Sequence, residues 1–132
     1  MTPLDTFLLF CHEVTEFCLK NANRKCFNGW SREKIFLYVG GNCIAGNLFI
    51  SDCNDKVQAI AIAKPTGEGR LLFFEVIGNR ALVARMFSQM KAKWPDIKRI
   101  FAFRHYGNAD ADIVEFSPEM VARFCGLKGG LA

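Results

Sequence analysis

The sequence predicts an α/β domain of the α+β kind, with a mixed, mostly antiparallel sheet of five or six strands flanked by helices. Three observations predict it. The chain opens on an apolar stripe at helical spacing. Short apolar runs punctuated by Gly, Asn, Asp and Pro then follow one another from residue 35 to residue 77. Finally, residues 70–104, RLLFFEVIGNRALVARMFSQMKAKWPDIKRIFAFR, read as strand, Gly-Asn turn, basic amphipathic helix and strand. That is a crossover unit. It sets a helix N-terminus at the carboxyl end of a strand, here Gly78 to Ala81, where α/β proteins commonly receive ligands.

Each element has a local reason. Thr2 is the N-cap of the first helix, Pro3 suits its first turn, and Asp5 can meet free N–H groups. Leu4, Phe7, Cys11, Val14 and Cys18 form its stripe, widened by Leu8, Phe10 and Phe17, to about Lys20. Residues 21–30 read as a polar loop. Ser31 begins a short turn before a strand from Ile35 to Val39, and Gly40-Gly41-Asn42 supplies a hairpin into a strand from Ile44 to Ile50, with Gly46 as a bulge. A turn at residues 51–55 leads to the strand Val57 to Lys64. Its near-continuous apolar character implies cover on both faces, with alanines where a helix approaches. Residues 65–69 turn into the strand Arg70 to Ile77, completing a four-strand meander. The next helix, about Arg80 to Lys93, buries Val83, Met86, Phe87, Met90 and Trp94, and Pro95 stops it. Strands at Ile97 to Phe103 and Ile113 to Phe116 follow, separated by a polar loop from His105 to Asp112. Ser117-Pro118-Glu119 opens a last helix ending near Gly126, and the remaining residues read as a tail.

At 132 residues, with 51% hydrophobic residues and thirteen Phe, the chain suits one domain with a single core. No apolar run reaches the ~18–20 residues of a membrane span, and MTPLD lacks the basic start of a secretion signal. The expectation is a soluble cytoplasmic protein. Its six cysteines, at 11, 18, 26, 43, 53 and 125, show no Cys-x-x-Cys pair or His cluster, so buried reduced thiols are expected and no metal. The net charge of +4 is concentrated: seven cations lie between Arg80 and Arg104 against the single acid Asp96. Such a face attracts phosphate or an acidic partner, or is simply a solvated helix surface.

The order of elements resembles the GNAT acyltransferase fold. More narrowly, FFEVIGNRALVARMFSQMKAKWPDIKRIFAFR followed by DIVEF is similar to the C-terminal half of the toxin-activating lysine acyltransferases, the hemolysin-activating group, over about residues 70–116. That family has an acidic residue within an apolar strand, a short Gly-containing turn into a helix, and a Pro after the basic helix end. VIGNRAL has no Arg/Gln-x-x-Gly-x-Gly/Ala loop to cradle a cofactor pyrophosphate. The toxin-activating relatives lack it too and take their acyl group from acyl carrier protein. The resemblance therefore implies an acyl thioester donor, carried by acyl carrier protein or coenzyme A, and an amine acceptor such as a protein lysine. Gly78 and Asn79 would orient the thioester, and Arg80 and Arg85 would face its phosphates.

Glu75 is the leading candidate for a catalytic group. In the run Leu71-Leu72-Phe73-Phe74-Glu75-Val76-Ile77 a carboxylate is desolvated and its pKa raised toward that of a general base. The resemblance places it where the family has its catalytic Asp, and a carboxylate paired with an Arg is the structural alternative. The family also uses an early His. The only early histidine is His12, within Phe10-Cys11-His12-Glu13, while His105 follows a strand end and is chemically the better placed. Asp110 and Asp112 lack the remaining ligands of a calcium loop. No Gly-x-Ser-x-Gly or Cys–His arrangement supports hydrolysis.

Three classes stay open. The first is an acyltransferase; the second is a non-catalytic GNAT-like interaction or structural protein of a phage or mobile element; the third is a small nucleic-acid binder using Trp94, Phe103, Tyr106 and the cationic crossover.

Overall fold

The caps at the start of the chain work as their residue types require. In the computed structural model, which describes residues 1–22, 26–54, 56–104 and 112–120, Thr2 and Asp5 form a reciprocal capping box on α1 (Pro3–Lys20). The Thr2 hydroxyl accepts from the Asp5 amide at 3.1 Å, and the Asp5 carboxylate accepts from the Thr2 amide at 3.1 Å. The Thr2 amide and then the Thr2 hydroxyl, at 2.8 Å, donate to the Asp5 carboxylate and hold it below the usual carboxylate range. Cys11, Val14, Thr15 and Cys18 form the buried stripe.

The next segment corrects the sequence reading. Residues 35–39 are not a strand and no hairpin joins them to the next one, because α2 (Arg32–Ala45) runs through the Gly-Gly-Asn triplet; of the expected strand 44–50 only residues 48–50 are extended. The Ser31 hydroxyl caps it, accepting from the Lys34 amide at 3.2 Å. Ile35 and Val39, one turn apart, are its fully buried pair. Gly46 is the left-handed terminator of this helix, at φ 78°, not a strand bulge. Two interior glycines each cost about 1 kcal/mol against alanine. Tertiary packing overrides that cost: α2 lies beside α1, with Gly40 facing Cys11 and Phe7.

The meander accordingly has three strands rather than four. β1 (Leu48–Cys53), β2 (Lys56–Gly67) and β3 (Arg70–Ile77) pair antiparallel in sequence. β2 extends past Lys64 through the expected turn, and only Glu68-Gly69 form the loop. Both have positive φ, 56° and 75°, as a two-residue type I′ hairpin demands. After β3, α3 (Arg80–Lys93) carries the chain to β4 (Arg99–Arg104), which pairs parallel to β3, so the crossover is borne out. β4 begins at Arg99 rather than Ile97, whose side chain is core. β5 (Asp112–Glu115) closes the other edge, antiparallel to β4. The sheet order is β1-β2-β3-β4-β5. The Ser117 hydroxyl accepts from the Met120 amide at 3.2 Å and residues 118–120 are helical, so the last helix begins as expected. Its expected end, the loop of residues 105–111 and the tail lie outside the described residues.

Apolar layers line both faces of the sheet. Ala59, Ala61 and Ala63 of β2 face α3 and pack with Phe49, Phe73, Phe87 and Met90. Ile60 and Ile62 face α1 and α2 and pack with Val14, Cys18, Ile35 and Val39. Small residues thus stand where α3 crosses, as the sequence predicts. The crossing is tight at Gly78: it has positive φ, and a Cβ there would stand 2.4 Å from the Ala59 Cβ.

Candidate functional site

A single bulge decides what Glu75 faces. Ile62 of β2 pairs with Glu75 and the next residue, Ala63, pairs with Phe73, so Phe74 is an extra residue in β3. Before the bulge, Leu71 and Phe73 point into the α3 layer. After it the alternation is reversed: Val76 joins the α3 layer while Phe74 and Ile77 pack on the other. Glu75, opposite Ile62, therefore turns toward α1 and α2, and its side chain is 6% exposed.

The same bulge coincides with the end of a ladder. β3 and β4 pair from Arg70↔Arg99 to Phe73↔Ala102 and no further, although β3 continues to Ile77 and β4 to Arg104. Where the pairing stops there is a cavity of about 300 Å³. Phe73, Val83, Phe87 and Phe116 line it from the α3 side, and Cys26, Phe74, Glu75 and Phe103 from the other. The opening therefore passes between the two parallel strands. Among the described residues its lining is apolar apart from one carboxylate and one thiol, the composition of a binding pocket with a few orienting groups. A wider groove beside α1 and β2 carries Glu13, Glu16, Lys20 and Lys56, which are exposed surface charges.

α3 reaches this opening through Val83, at the end of its first turn, and Phe87, whereas Gly78, Asn79, Arg80 and Arg85 are not in its lining. The Asn79 side chain caps the helix, accepting from the Leu82 amide at 2.9 Å. Arg80 and Arg85 are exposed on α3. The cationic stretch is less available than its composition implies. The Lys91 ammonium donates to the carbonyls of Pro95 and Ile97 at 2.8 and 2.9 Å, which ties down the helix end. Lys93 donates to the Gly46 carbonyl. Arg99 forms a two-pronged pair with Glu115, both contacts 2.7 Å, which lowers the Glu115 pKa. The Lys91 ammonium is thus engaged with the chain's own carbonyls.

α1 does pack toward Glu75, but it presents Cys18. His12 lies six residues earlier, about 240° around the helix, where it is exposed with its ring 4.8 Å from that of Phe36. The two are not brought together. His105 lies outside the described residues. Cys26 and Tyr38 join Glu75 instead, and neither was singled out in the sequence. The Cys26 thiol donates to the Val76 carbonyl at 3.5 Å, across fifty residues. Burial, then the neighbouring Cys26 and Glu75, push the Cys18 thiol up to about 12. Burial, then Glu75 and Cys26, push the Tyr38 phenol up as well. Among the described residues the cysteines form no disulfide: Cys11, Cys18 and Cys26 are buried, whereas Cys43 is half-buried and Cys53 exposed, against the expectation of buried thiols throughout; no three described acidic, His or Cys side chains form a metal-binding group.

The raised Cys18 pKa makes stability depend on pH in a definite direction. An unfolded thiol releases its proton above its ordinary value of 9.0, whereas the folded protein holds it to about 12. Stability is therefore complete below pH 9 and declines by at most ~1.4 kcal/mol per pH unit above it, from this thiol alone. Urea unfolding between pH 8 and pH 11 should show the decline, with a shallower slope in Cys18→Ala. Equal slopes would mean that Cys18 titrates normally.

The fold and the site together define a mixed α+β domain with a cavity between parting parallel strands and a buried carboxylate at its wall. The chain matches no protein-family model, no curated protein and no solved structure. No helix among the described residues is long and apolar enough to cross a membrane.

Proposed function

We propose that the chain is an acyltransferase that moves an acyl group from a thioester carrier to an amine, with a protein lysine as the acceptor class. The observation that carries this reading is the opening between β3 and β4, which has Glu75 in its wall and the first turn of α3 reaching it through Val83. An apolar slot excludes water from a thioester. A carboxylate inside it is poised to take a proton from an attacking amine, and backbone N–H groups at a helix start suit a developing oxyanion. The resemblance of residues 70–116 to the toxin-activating acyltransferases supports the same assignment, with Glu75 as the base, and Gly78, Asn79, Arg80 and Arg85 toward the donor. Because Gly78 is already required by its approach to Ala59, its presence alone does not argue for the donor.

The deciding assay offers the protein a panel of acyl carrier protein and coenzyme A thioesters with amine-bearing peptides and proteins, and reads acceptor mass. Acyl transfer above the uncatalysed rate is the expected result. No transfer across the panel overturns the reading in favour of a non-catalytic domain of the same fold.

A further inference from the structure

Cys26 shares the cavity with Glu75, and nothing in the acyl-transfer reading so far uses it. Its side chain is 5% exposed, so it is hidden from bulk solvent, yet it lines the opening between β3 and β4. Its Sγ lies 3.5 Å from the carbonyl oxygen of Val76, the residue next to Glu75. The thiol and the carboxylate therefore occupy the same wall.

The backbone that presents Cys26 is held firmly and at some cost. Phe27, the following residue, is 3% exposed and sits at φ 60°, a left-handed conformation that a bulky side chain rarely adopts. Backbone strain of this kind costs about 1–3 kcal/mol and persists only where the surroundings over-determine it, as they do at functional sites. Here the surroundings are aromatic. The Phe27 ring meets Trp30 edge-on at 5.2 Å and Tyr38 at 6.1 Å, and the Trp30 amide donates to the Phe27 carbonyl at 3.2 Å. The turn is locked to α2 through Tyr38, and that lock aims Cys26 at the cavity.

We propose that Cys26 is the first acyl acceptor, so that transfer proceeds through an acyl-cysteine on this chain. This rests on the acyl-transfer reading above. In the first half-reaction the Cys26 Sγ attacks the donor thioester carbonyl. A new S–C bond forms, the donor's own C–S bond breaks, and the thiol proton reaches the departing sulfur by way of the Glu75 carboxylate. In the second, the amine nitrogen attacks the acyl-cysteine, the S–C bond breaks, and the proton lost by nitrogen returns to Sγ. Nothing is oxidised or reduced, and the cavity excludes the water that would hydrolyse the intermediate.

The test incubates the full chain with acetyl, octanoyl and palmitoyl thioesters of coenzyme A and of acyl carrier protein, without acceptor, followed by acid quench, intact mass and peptide mapping. The expected result is one acyl mass on the peptide holding Cys26, removed by neutral hydroxylamine and absent from Cys26→Ala. Mapping the wild-type chain keeps the test valid if that variant folds poorly. Added amine should discharge the adduct at least as fast as steady-state transfer. Transfer to amine with no adduct on Cys26, or adduct only on exposed Cys53, overturns the cysteine relay and leaves the acyltransferase reading standing. Neither adduct nor transfer with any donor removes both.

Discussion

Glu75→Gln is expected to lower acyl transfer by roughly 10²–10⁴-fold, the usual contribution of a positioned general base. The substitution preserves volume and hydrogen-bonding shape while removing the group that accepts a proton. Its effect should be large because, among the described residues, the lining offers a proton no second carboxylate and no imidazole. Glu75 is 6% exposed, the described lining around it is aromatic and aliphatic apart from Cys26, and the Cys18 thiol and the Tyr38 phenol hold their own protons above the ordinary range. His12 faces elsewhere and does not stand in. The measurement is turnover at saturating donor and acceptor, with urea unfolding of the same variant to establish that the fold survives. Undiminished transfer by a folded Gln variant would exclude Glu75 as the base. Glu75→Asp should recover part of the rate by restoring the carboxylate one methylene short.

Phe87→Ala should cost about 3–5 kcal/mol of stability, as large aromatic truncations in cores do. The ring is 3% exposed and lies 4.9 Å from Phe73, which belongs to the same apolar layer and to the wall of the cavity. Removing it takes away an apolar body that α3 cannot replace by settling, since Gly78 already brings the start of α3 against Ala59. Denaturant titration measures the loss, with the midpoint moving and the slope retained. A loss below about 1 kcal/mol would mean that α3 presents another face to the sheet. The site predicts a second readout. Phe87 narrows the opening, so its removal should shift the preferred donor toward bulkier acyl groups even where total activity falls.

Particular residues show how far the sequence reaches. The bounds of α3 follow from the Gly-Asn turn before it, a stripe at 83, 86, 87 and 90, and the Pro95 stop, all of which act within a few residues of one another. The alternation of alanine and isoleucine from Ala59 to Ala63 likewise announces a strand covered on both faces, with a helix close on the alanine side. The segment 32–45 misleads because Gly-Gly-Asn carries the local signal of a turn. Its helicity is set by Ile35 and Val39 docking with Val14 and Cys18 of α1 and Ile60 and Ile62 of β2, and those partners are distant in the chain.

Glu75 divides the two kinds of information most sharply. That it is unusual can be read from its apolar neighbours alone, because a carboxylate in such a run has to be desolvated or turned aside. Which way it points cannot be read there. Simple alternation from Leu71 and Phe73 would send it into the α3 layer, and one extra residue at Phe74, relative to Ile62 and Ala63, reverses it. Cys26 is further beyond reach, since its contact with Val76 joins residues fifty apart in a segment of no regular period. The sequence by itself therefore determined the mixed sheet, the crossover and the suspect carboxylate, all of which depend on short-range periodicity and capping. Only the tertiary structure decided that α2 is a helix, that β3 and β4 part beyond Ala102, and that Glu75 and Cys26 share one wall. Those outcomes depend on register and packing between distant segments, where the free-energy differences are set by partners that local sequence does not contain.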